Sequence, residues 1–140
     1  MRFIEKITSH QNMRQAIEQV KKNKGAPGID EMTVDELDHY FYQHGRDLVQ
    51  EVRSMTYQPK AVKRVYIPKP DGKQRPLGIP SVVDRVVQQA AAQQLSGIFD
   101  AHFSGNSYGF RPKRNAHQAI EKVLGYLNEG YEWVIDMDIE

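Results

Sequence analysis

The sequence predicts an α+β fold in which helices pack around one basic β-hairpin. Apolar residues recur at intervals of three and four in several segments, which is the spacing of one face of an α-helix. Residues 62–67 alternate with a period of two, and residues 70–73 (Pro-Asp-Gly-Lys) form a turn signal before a second extended run at 75–79. The order is helices, hairpin, helices and a final strand, which is typical of an α+β protein.

Each predicted element is placed by its apolar face and its ends. The first helix covers about residues 10–24 and stops at the Gly-Ala-Pro-Gly run of 25–28. A capping box formed by Thr33 and Glu36 begins a second, acidic helix. A third helix spans 82–99 with a broad apolar face, and a fourth covers about 115–127. Residues 131–139 are predicted to form a buried strand.

Charge is segregated along the chain although the net charge is only +1. Residues 30–51 carry seven acids and one base, Arg46, whereas residues 60–75 carry six bases and one acid, Asp71. The distribution of charge along a chain is more informative about its binding partners than the net charge is. The acidic segment is interpreted as a solvated helix face and the basic segment as an anion-binding patch.

Composition excludes several classes of protein. The chain has no cysteine, so a disulfide framework and a thiolate site are both excluded. Its apolar runs are too short to span a membrane, and its start does not resemble a signal peptide. We therefore expect a cytoplasmic protein without a membrane partner.

Two carboxylates lie inside the predicted final strand. Asp136 and Asp138 are two residues apart, which would place them on one face of a strand, opposite Met137. A carboxylate in an apolar strand is costly unless it is paired, protonated or bound to a metal. The spacing fits ligands of one divalent ion, and it also fits an acid pair at a strand end that reaches solvent.

The hairpin and a later loop are the candidate anion sites. Lys69 and Arg75 straddle the predicted turn, where a mobile ammonium and a planar guanidinium would suit a triphosphate or a nucleic-acid backbone. The alternative is a solvated edge hairpin protected from aggregation by its lysines. Residues 107–114 combine two aromatics with three bases, which suits base stacking beside phosphate contacts. Phe110 in this loop is predicted to be a core anchor.

Five blocks of the sequence follow one another with short spacers. They are residues 23–30 (Asn-Lys-Gly-Ala-Pro-Gly-Ile-Asp), residues 65–80 around the hairpin, residues 84–88 (Asp-Arg-Val-Val-Gln), residues 107–112 with Ala116 and His117, and residues 136–139 (Asp-Met-Asp-Ile). Taken in order, these blocks resemble those of bacterial group II intron-encoded reverse transcriptase-maturases, and the resemblance runs from about residue 21 to the last residue. The order and the short spacers make this resemblance specific.

This resemblance implies the fingers subdomain of a right-hand polymerase, ending in the first palm strand. Residues 1–30 would be an N-terminal extension with a template-side loop, residues 31–130 the fingers, and residues 131–140 the start of the palm. The implied activity is RNA-directed DNA polymerisation, which copies intron RNA into cDNA by two-metal nucleotidyl transfer, and the implied protein also aids splicing of the intron. The implied partners are group II intron RNA as template, a DNA primer and deoxynucleoside triphosphates, and a homodimer and association with the bacterial nucleoid are further expectations.

The resemblance also assigns roles to individual residues. Asp138, rather than Asp136, corresponds to the catalytic aspartate, which would bind both of two Mg²⁺ ions, and the backbone carbonyl of Ile139 would help to hold the nucleotide-bound ion. Lys69 and Arg75 would bind the incoming triphosphate. The implied RNA-binding residues are Lys24, Gly25, Pro27, Gly28, Lys63, Arg64, Arg85, Arg111, Lys113 and Arg114.

Two further expectations concern the extent of the chain and the competing functions. The family's second palm motif, Tyr-x-Asp-Asp, does not occur in these residues, so we expect a fragment that does not synthesise DNA by itself and does not hold the Mg²⁺ ions stably. One alternative is a non-catalytic module that binds intron RNA and aids splicing. Another is an oligomerisation module that uses the apolar face of the 82–99 helix.

Overall fold

The computed structural model describes residues 2–138. In this part of the chain the elements, in order, are α1 (Phe3–Ile7), α2 (His10–Asn23), α3 (Leu37–Arg53), β1 (Lys63–Pro68), β2 (Gln74–Ile79), α4 (Val82–Phe99) and α5 (Ala116–Asn128), with short 3₁₀ turns at Val34–Glu36 and Asp100–His102. Residues up to Gly97 form one compact unit and residues from Ile98 onward form a second. The predicted helices and the hairpin are therefore present close to their predicted bounds.

The ends of α2 follow directly from local chemistry. Ser9 caps the helix, because its hydroxyl accepts a hydrogen bond from the backbone N–H of Asn12 at 3.3 Å. At the other end, Lys24 (φ 55°) and Gly25 (φ 106°) leave the helical conformation, and Pro27 follows. The template-side loop, which we define as residues 24–30, therefore starts at a sharp change of direction.

The core of the first unit lies between α2, α3 and the first half of α4. The predicted apolar faces of α2 and α4 supply most of it, and α1 and α3 supply the rest. Its buried members are Ile7, Met13, Ala16, Val20, Leu37, Leu48, Val82, Val83, Val86 and Ala90. The part of the α4 face that was expected to bind another subunit is thus occupied by the chain's own core.

A buried asparagine ties α2 to α4. The Asn12 amide nitrogen donates to the carbonyls of Ile7 (2.7 Å) and Ala90 (2.9 Å). Its side-chain oxygen accepts from the amides of Gln93 (2.9 Å) and Gln94 (2.7 Å). Because the polar atoms of this amide are paired, the residue can stay buried and fix the position of α4 on α2. Sequence reasoning missed this role because the α4 partners are distant from Asn12 in the chain.

β1 and β2 form an antiparallel hairpin with Pro68 opposite Gln74 and Lys63 opposite Ile79. Its pairing leaves most of its side chains exposed. Gly78 packs closely against Val62 at the open end, because a Cβ there would lie 2.9 Å from a methyl group of Val62. The hairpin therefore projects as an exposed ribbon that is anchored at its base.

Two predictions about burial are wrong. Residues 131–138 do not form a strand, and Trp133, Val134 and Ile135 are more than four-fifths exposed, because a strand needs a hydrogen-bonding neighbour and none of the described residues supplies one. Phe110 is fully exposed rather than a core anchor. The apolar faces of α5 and of the second half of α4 are also about half exposed, because no described residue covers them. No helix within residues 2–138 is long and apolar enough to cross a membrane.

Candidate nucleic-acid interface

The tip of the hairpin is a tight turn closed by backbone bonds. The Lys69 N–H donates to the Lys73 carbonyl at 2.7 Å, and the Gly72 N–H donates to the Lys69 carbonyl at 3.0 Å. Gly72 adopts φ 80°, which a glycine reaches without strain, and the Asp71 carboxylate accepts from the Lys73 N–H at 3.1 Å. Lys69 therefore lies at the tip, and Arg75 lies two pairs below it, opposite Ile67.

The hairpin register distributes the bases over both faces. Cross-strand partners and residues two apart share a face, so Arg75 lies on the face of Lys63 and Ile67. Arg64 lies on the opposite face with Tyr66. The predicted pair of Lys63 and Arg64 therefore cannot contact a ligand from the same side of the ribbon.

The template-side loop is held against the start of α4. The Arg85 guanidinium donates to the carbonyl of Ala26 at 2.7 Å and to that of Lys24 at 3.4 Å. Gly28 approaches the backbone of Ser81 so closely that a Cβ on it would lie 2.7 Å from the Ser81 Cα. Gly28 and Arg85 were predicted to contact RNA directly, and the structure places both in contact with other parts of the chain.

A buried carboxylate joins α4 to the chain that leads into the hairpin. Asp84 is only 3 % exposed. It accepts hydrogen bonds from the Tyr57 hydroxyl, from the Ser81 hydroxyl (2.7 Å) and from the Lys60 N–H (3.1 Å). Ser81 also accepts from the Asp84 N–H at 3.1 Å and so caps α4. The Ser-x-x-Asp pattern at 81–84 is the capping signal that could have revealed this cluster from sequence.

The C-terminal end of the template-side loop is bonded to the same segment, which leads into the hairpin. The Lys60 ammonium lies 2.9 Å from the Asp30 carboxylate. Partial burial by itself would raise the pKa of Asp30, but hydrogen bonds from Lys60 and from the Met32 N–H outweigh it and hold this pKa below its ordinary value. The loop and the base of the hairpin are therefore connected through Lys60.

In the second unit, Arg111 organises the loop between α4 and α5. Its guanidinium donates to the Asp100 carboxylate at 2.7 Å and to the carbonyls of Asp100, Ser104 and Ser107. The hydrogen bond from Arg111 lowers the pKa of Asp100. Because four of its five N–H donors make these internal bonds, Arg111 has little capacity left for the predicted RNA contact.

The neighbouring bases of this loop differ in their availability. Arg114 donates to the Gly105 carbonyl at 2.9 Å and stacks over the Tyr108 ring at 5.2 Å. Lys113 is exposed and has φ 60°, and Phe110 is exposed with φ 54°. Lys113 and Phe110 therefore present a cation and an aromatic ring to solvent at the turn of the loop.

The acidic end of the described chain does not form a complete metal site. Asp136 and Asp138 are both exposed, and Ile139 lies outside the described residues. Within residues 2–138, no group of three His, Cys, Asp or Glu side chains is arranged to hold a metal ion. The described residues therefore do not fit a bound pair of Mg²⁺ ions by themselves.

Comparison with known sequences decides the family. The sequence model of the reverse transcriptase (RNA-dependent DNA polymerase) family matches residues 67–140, which include the hairpin tip, α4, α5 and the two aspartates. The chain belongs to the reverse transcriptase family. The predicted class is thereby confirmed at the level of the family.

Individual relatives place this reverse transcriptase chain among intron-encoded proteins. It is 38 % identical to Protein YkfC of Escherichia coli over 144 residues, which covers 99 % of this chain and 38 % of YkfC. It is 32 % identical to the group II intron-encoded protein LtrA of Lactococcus lactis, covering 89 % of this chain and 21 % of LtrA. A putative COX1/OXI3 intron 1 protein of Saccharomyces cerevisiae is 31 % identical over 89 % of this chain and 15 % of its own length.

These similarities confirm the resemblance to group II intron reverse transcriptase-maturases. They come from yeast as well as from bacteria, so they do not restrict this class to bacteria. The chain spans well under half of the length of these relatives.

The Tyr57–Asp84 bond predicts a loss of stability at alkaline pH. Burial, followed by the hydrogen bond to Asp84, raises the pKa of Tyr57 well above its ordinary value of 10.0. Above pH 10 the unfolded chain would release this proton while the folded chain retains it. The contribution of Tyr57 to the free energy of unfolding is therefore complete below this pH and declines as the pH rises above it.

Urea unfolding of Tyr57→Phe and of the wild type over about pH 8–11.5 measures this effect. The variant should be less stable at about pH 8 by about 1 kcal/mol and should show a shallower alkaline decline. Tyr42→Phe is the matched control, because Tyr42 is 91 % exposed. Equal alkaline slopes for Tyr57→Phe and wild type would contradict the assignment.

Proposed function

We propose that this chain forms the fingers and the start of the palm of an RNA-directed DNA polymerase that copies intron RNA into cDNA. The observation that carries the proposal is the exposed hairpin with its five bases at 63–75, anchored at its base by the bond from the Lys60 N–H to Asp84. The family match supports the polymerase class, and the similarity to intron-encoded proteins supports RNA as template. In this proposal, residues 1–30 are the N-terminal extension, 31–130 the fingers and 131–140 the start of the palm.

The hairpin tip is the proposed site for the incoming nucleotide. Lys69 supplies a mobile ammonium at the turn, and Arg75 supplies a planar fork two pairs below it. A triphosphate carries several charged oxygens, which one point charge and one fork can bind together. A template strand and a DNA primer complete the proposed set of partners.

RNA is proposed to contact the exposed bases and the template-side loop. Lys63, Arg64 and Lys113 can contact phosphates directly, with Lys63 and Arg64 on opposite faces of the hairpin. The surface of the loop that faces RNA would be contributed by Lys24, Gly25 and Pro27, while Gly28 packs against Ser81. Internal hydrogen bonds occupy the remaining bases, whose effect on RNA would come chiefly through the loops that they hold: Arg85, Arg111 and Arg114.

Asp138 is proposed as one carboxylate of a metal site that residues beyond those described here would complete. Mg²⁺, when bound, would supply charge neutralisation for nucleotidyl transfer. The carbonyl of Ile139 would be a second ligand in this proposal. We also propose that the 140-residue chain does not synthesise DNA by itself, since its described carboxylates do not form a complete site.

Binding of intron RNA in support of splicing is the second candidate function. It is favoured by the similarity of this chain to nuclear intron maturase 1 of Arabidopsis thaliana, which is 38 % identical over 60 residues. This function needs the basic surface and not Asp138. The two candidate functions therefore make different predictions for substitutions of the basic residues and for substitution of Asp138.

Removal of the charges on Lys63, Arg64 and Lys113 should weaken RNA binding. The triple variant Lys63→Gln, Arg64→Gln and Lys113→Gln should bind a DNA-primed RNA template more weakly. The slope of log affinity against log salt should become shallower by about 0.7 for each phosphate that the variant no longer neutralises. Fluorescence anisotropy between about 50 and 200 mM salt measures both quantities.

The matched control removes three exposed bases from the helical side, as Lys6→Gln, Arg14→Gln and Arg46→Gln. This control has the same net charge as the test variant and should retain the wild-type salt dependence. If both triple variants bound RNA with equally reduced affinity, the effect would be one of net charge, and the proposed interface would be wrong.

Asp138→Asn separates synthesis from RNA binding. In a longer protein that contains this chain, the variant should lose primer extension and keep wild-type affinity for RNA, because only synthesis needs the carboxylate. Asp136→Asn is the control, since that residue is assigned no catalytic role. Normal synthesis by Asp138→Asn, or a complete loss in Asp136→Asn alone, would refute the assignment.

A further inference from the structure

We propose that Gly28 and Arg85 are positioning residues that hold the template-side loop as a preformed arm on the start of α4. RNA binding then depends on this arrangement as well as on the positive charge of the chain. The proposal rests on the proposed function, in which residues 24–30 contact the template. It assigns to Gly28 and Arg85 a role in shaping the loop instead of direct contact with RNA.

Gly28 is required by close approach and not by its backbone conformation. Its φ is not positive. Among the described glycines, only Gly25, Gly72 and Gly130 have a positive φ. A Cβ at Gly28 would lie 2.7 Å from the Cα and 2.8 Å from the N of Ser81. These are backbone atoms, so they cannot rotate away as a flexible side chain could.

The surface opposite Gly28 is itself rigid. Ser81 is 1 % exposed, and its hydroxyl is bonded to both the carboxylate and the backbone N–H of Asp84. A side chain at position 28 would therefore displace the loop and not the helix. This makes the contact a sensitive test of the position of the loop.

Arg85 holds the first half of the loop. Its two terminal nitrogens reach the carbonyls of Lys24 and Ala26, which are two residues apart in the chain. A guanidinium can bridge two such acceptors because its donors diverge in one plane. Replacement by lysine would keep the charge and lose the fork.

The loop and the hairpin share one support. Arg85 holds the loop, its neighbour Asp84 holds the Lys60 backbone, and the Lys60 side chain returns to Asp30 at the end of the loop. The spacing between the template-side loop and the base of the hairpin is thus determined by two consecutive residues of α4. A preformed arm loses less conformational entropy when it binds, which favours affinity.

Gly28→Ala tests the proposal without a change of charge. The probe is an RNA template–DNA primer duplex with a single-stranded 5′ RNA overhang, compared with the same duplex without the overhang. Gly28→Ala should weaken binding of the overhang substrate by about tenfold and should leave blunt-duplex binding nearly unchanged. Amide exchange should become faster in residues 24–30 only.

Gly97→Ala is the matched control, because a Cβ there would meet no atom within 4 Å. It should bind both substrates as the wild type does. Arg85→Lys provides a second test if Gly28→Ala does not fold, and it should show the same selective loss for the overhang substrate. Wild-type affinity for the overhang in a folded Gly28→Ala, or failing that in Arg85→Lys, would overturn the proposal. Absence of RNA binding by the wild-type chain would instead overturn the proposed function.

Discussion

The arrangement of the first unit depends on the hydrogen bonds that the buried Asp84 carboxylate accepts. A buried charge is costly unless its oxygens are bonded, and here the Tyr57 hydroxyl, the Ser81 hydroxyl and the Lys60 N–H supply the donors. These donors come from the start of α4 and from the segment that leads into β1. The carboxylate keeps these hydrogen bonds only while the start of α4 and the segment that leads into β1 remain in contact. This requirement fixes the base of the hairpin on the helical core.

Arg85 extends the same support in a second direction. Successive residues of an α-helix point about 100° apart, so Asp84 can face the approach to the hairpin while Arg85 faces the template-side loop. The basic residues of this chain fall into two groups, those that make internal hydrogen bonds and those that are exposed to solvent. Arg85 and Arg111 are bonded to several backbone carbonyls and shape loops, whereas Lys69, Arg75 and Lys113 are exposed. The positive surface available to a nucleic acid is therefore smaller than the sequence suggests, and it is better defined.

Much of the fold could be predicted because its signals are local. The α4 bounds and the hairpin turn follow from periodicity, capping and turn residues within a few positions of each other. The bonds of Asn12 to α4 and those of Asp84 to Tyr57 and Lys60 could not be predicted, because these partners are distant in sequence, whereas the Ser81–Asp84 cap is local. The strand expected at 131–138 and the burial of Phe110 were wrong because an apolar residue is buried only where another part of the chain covers it. At the candidate site, the resemblance assigned Gly28 and Arg85 to RNA contact, and only the structure showed that they contact the chain itself.

Amide hydrogen exchange of the chain with and without a DNA-primed RNA template tests the central claim most directly, because it locates the bound surface without any substitution. The account predicts slower exchange on RNA binding in the template-side loop and in the hairpin at 63–79. It predicts no change along the outer face of α3, whose acids should repel the phosphate backbone. Protection confined to α3, or RNA binding with no change in the loop and the hairpin, would contradict the account.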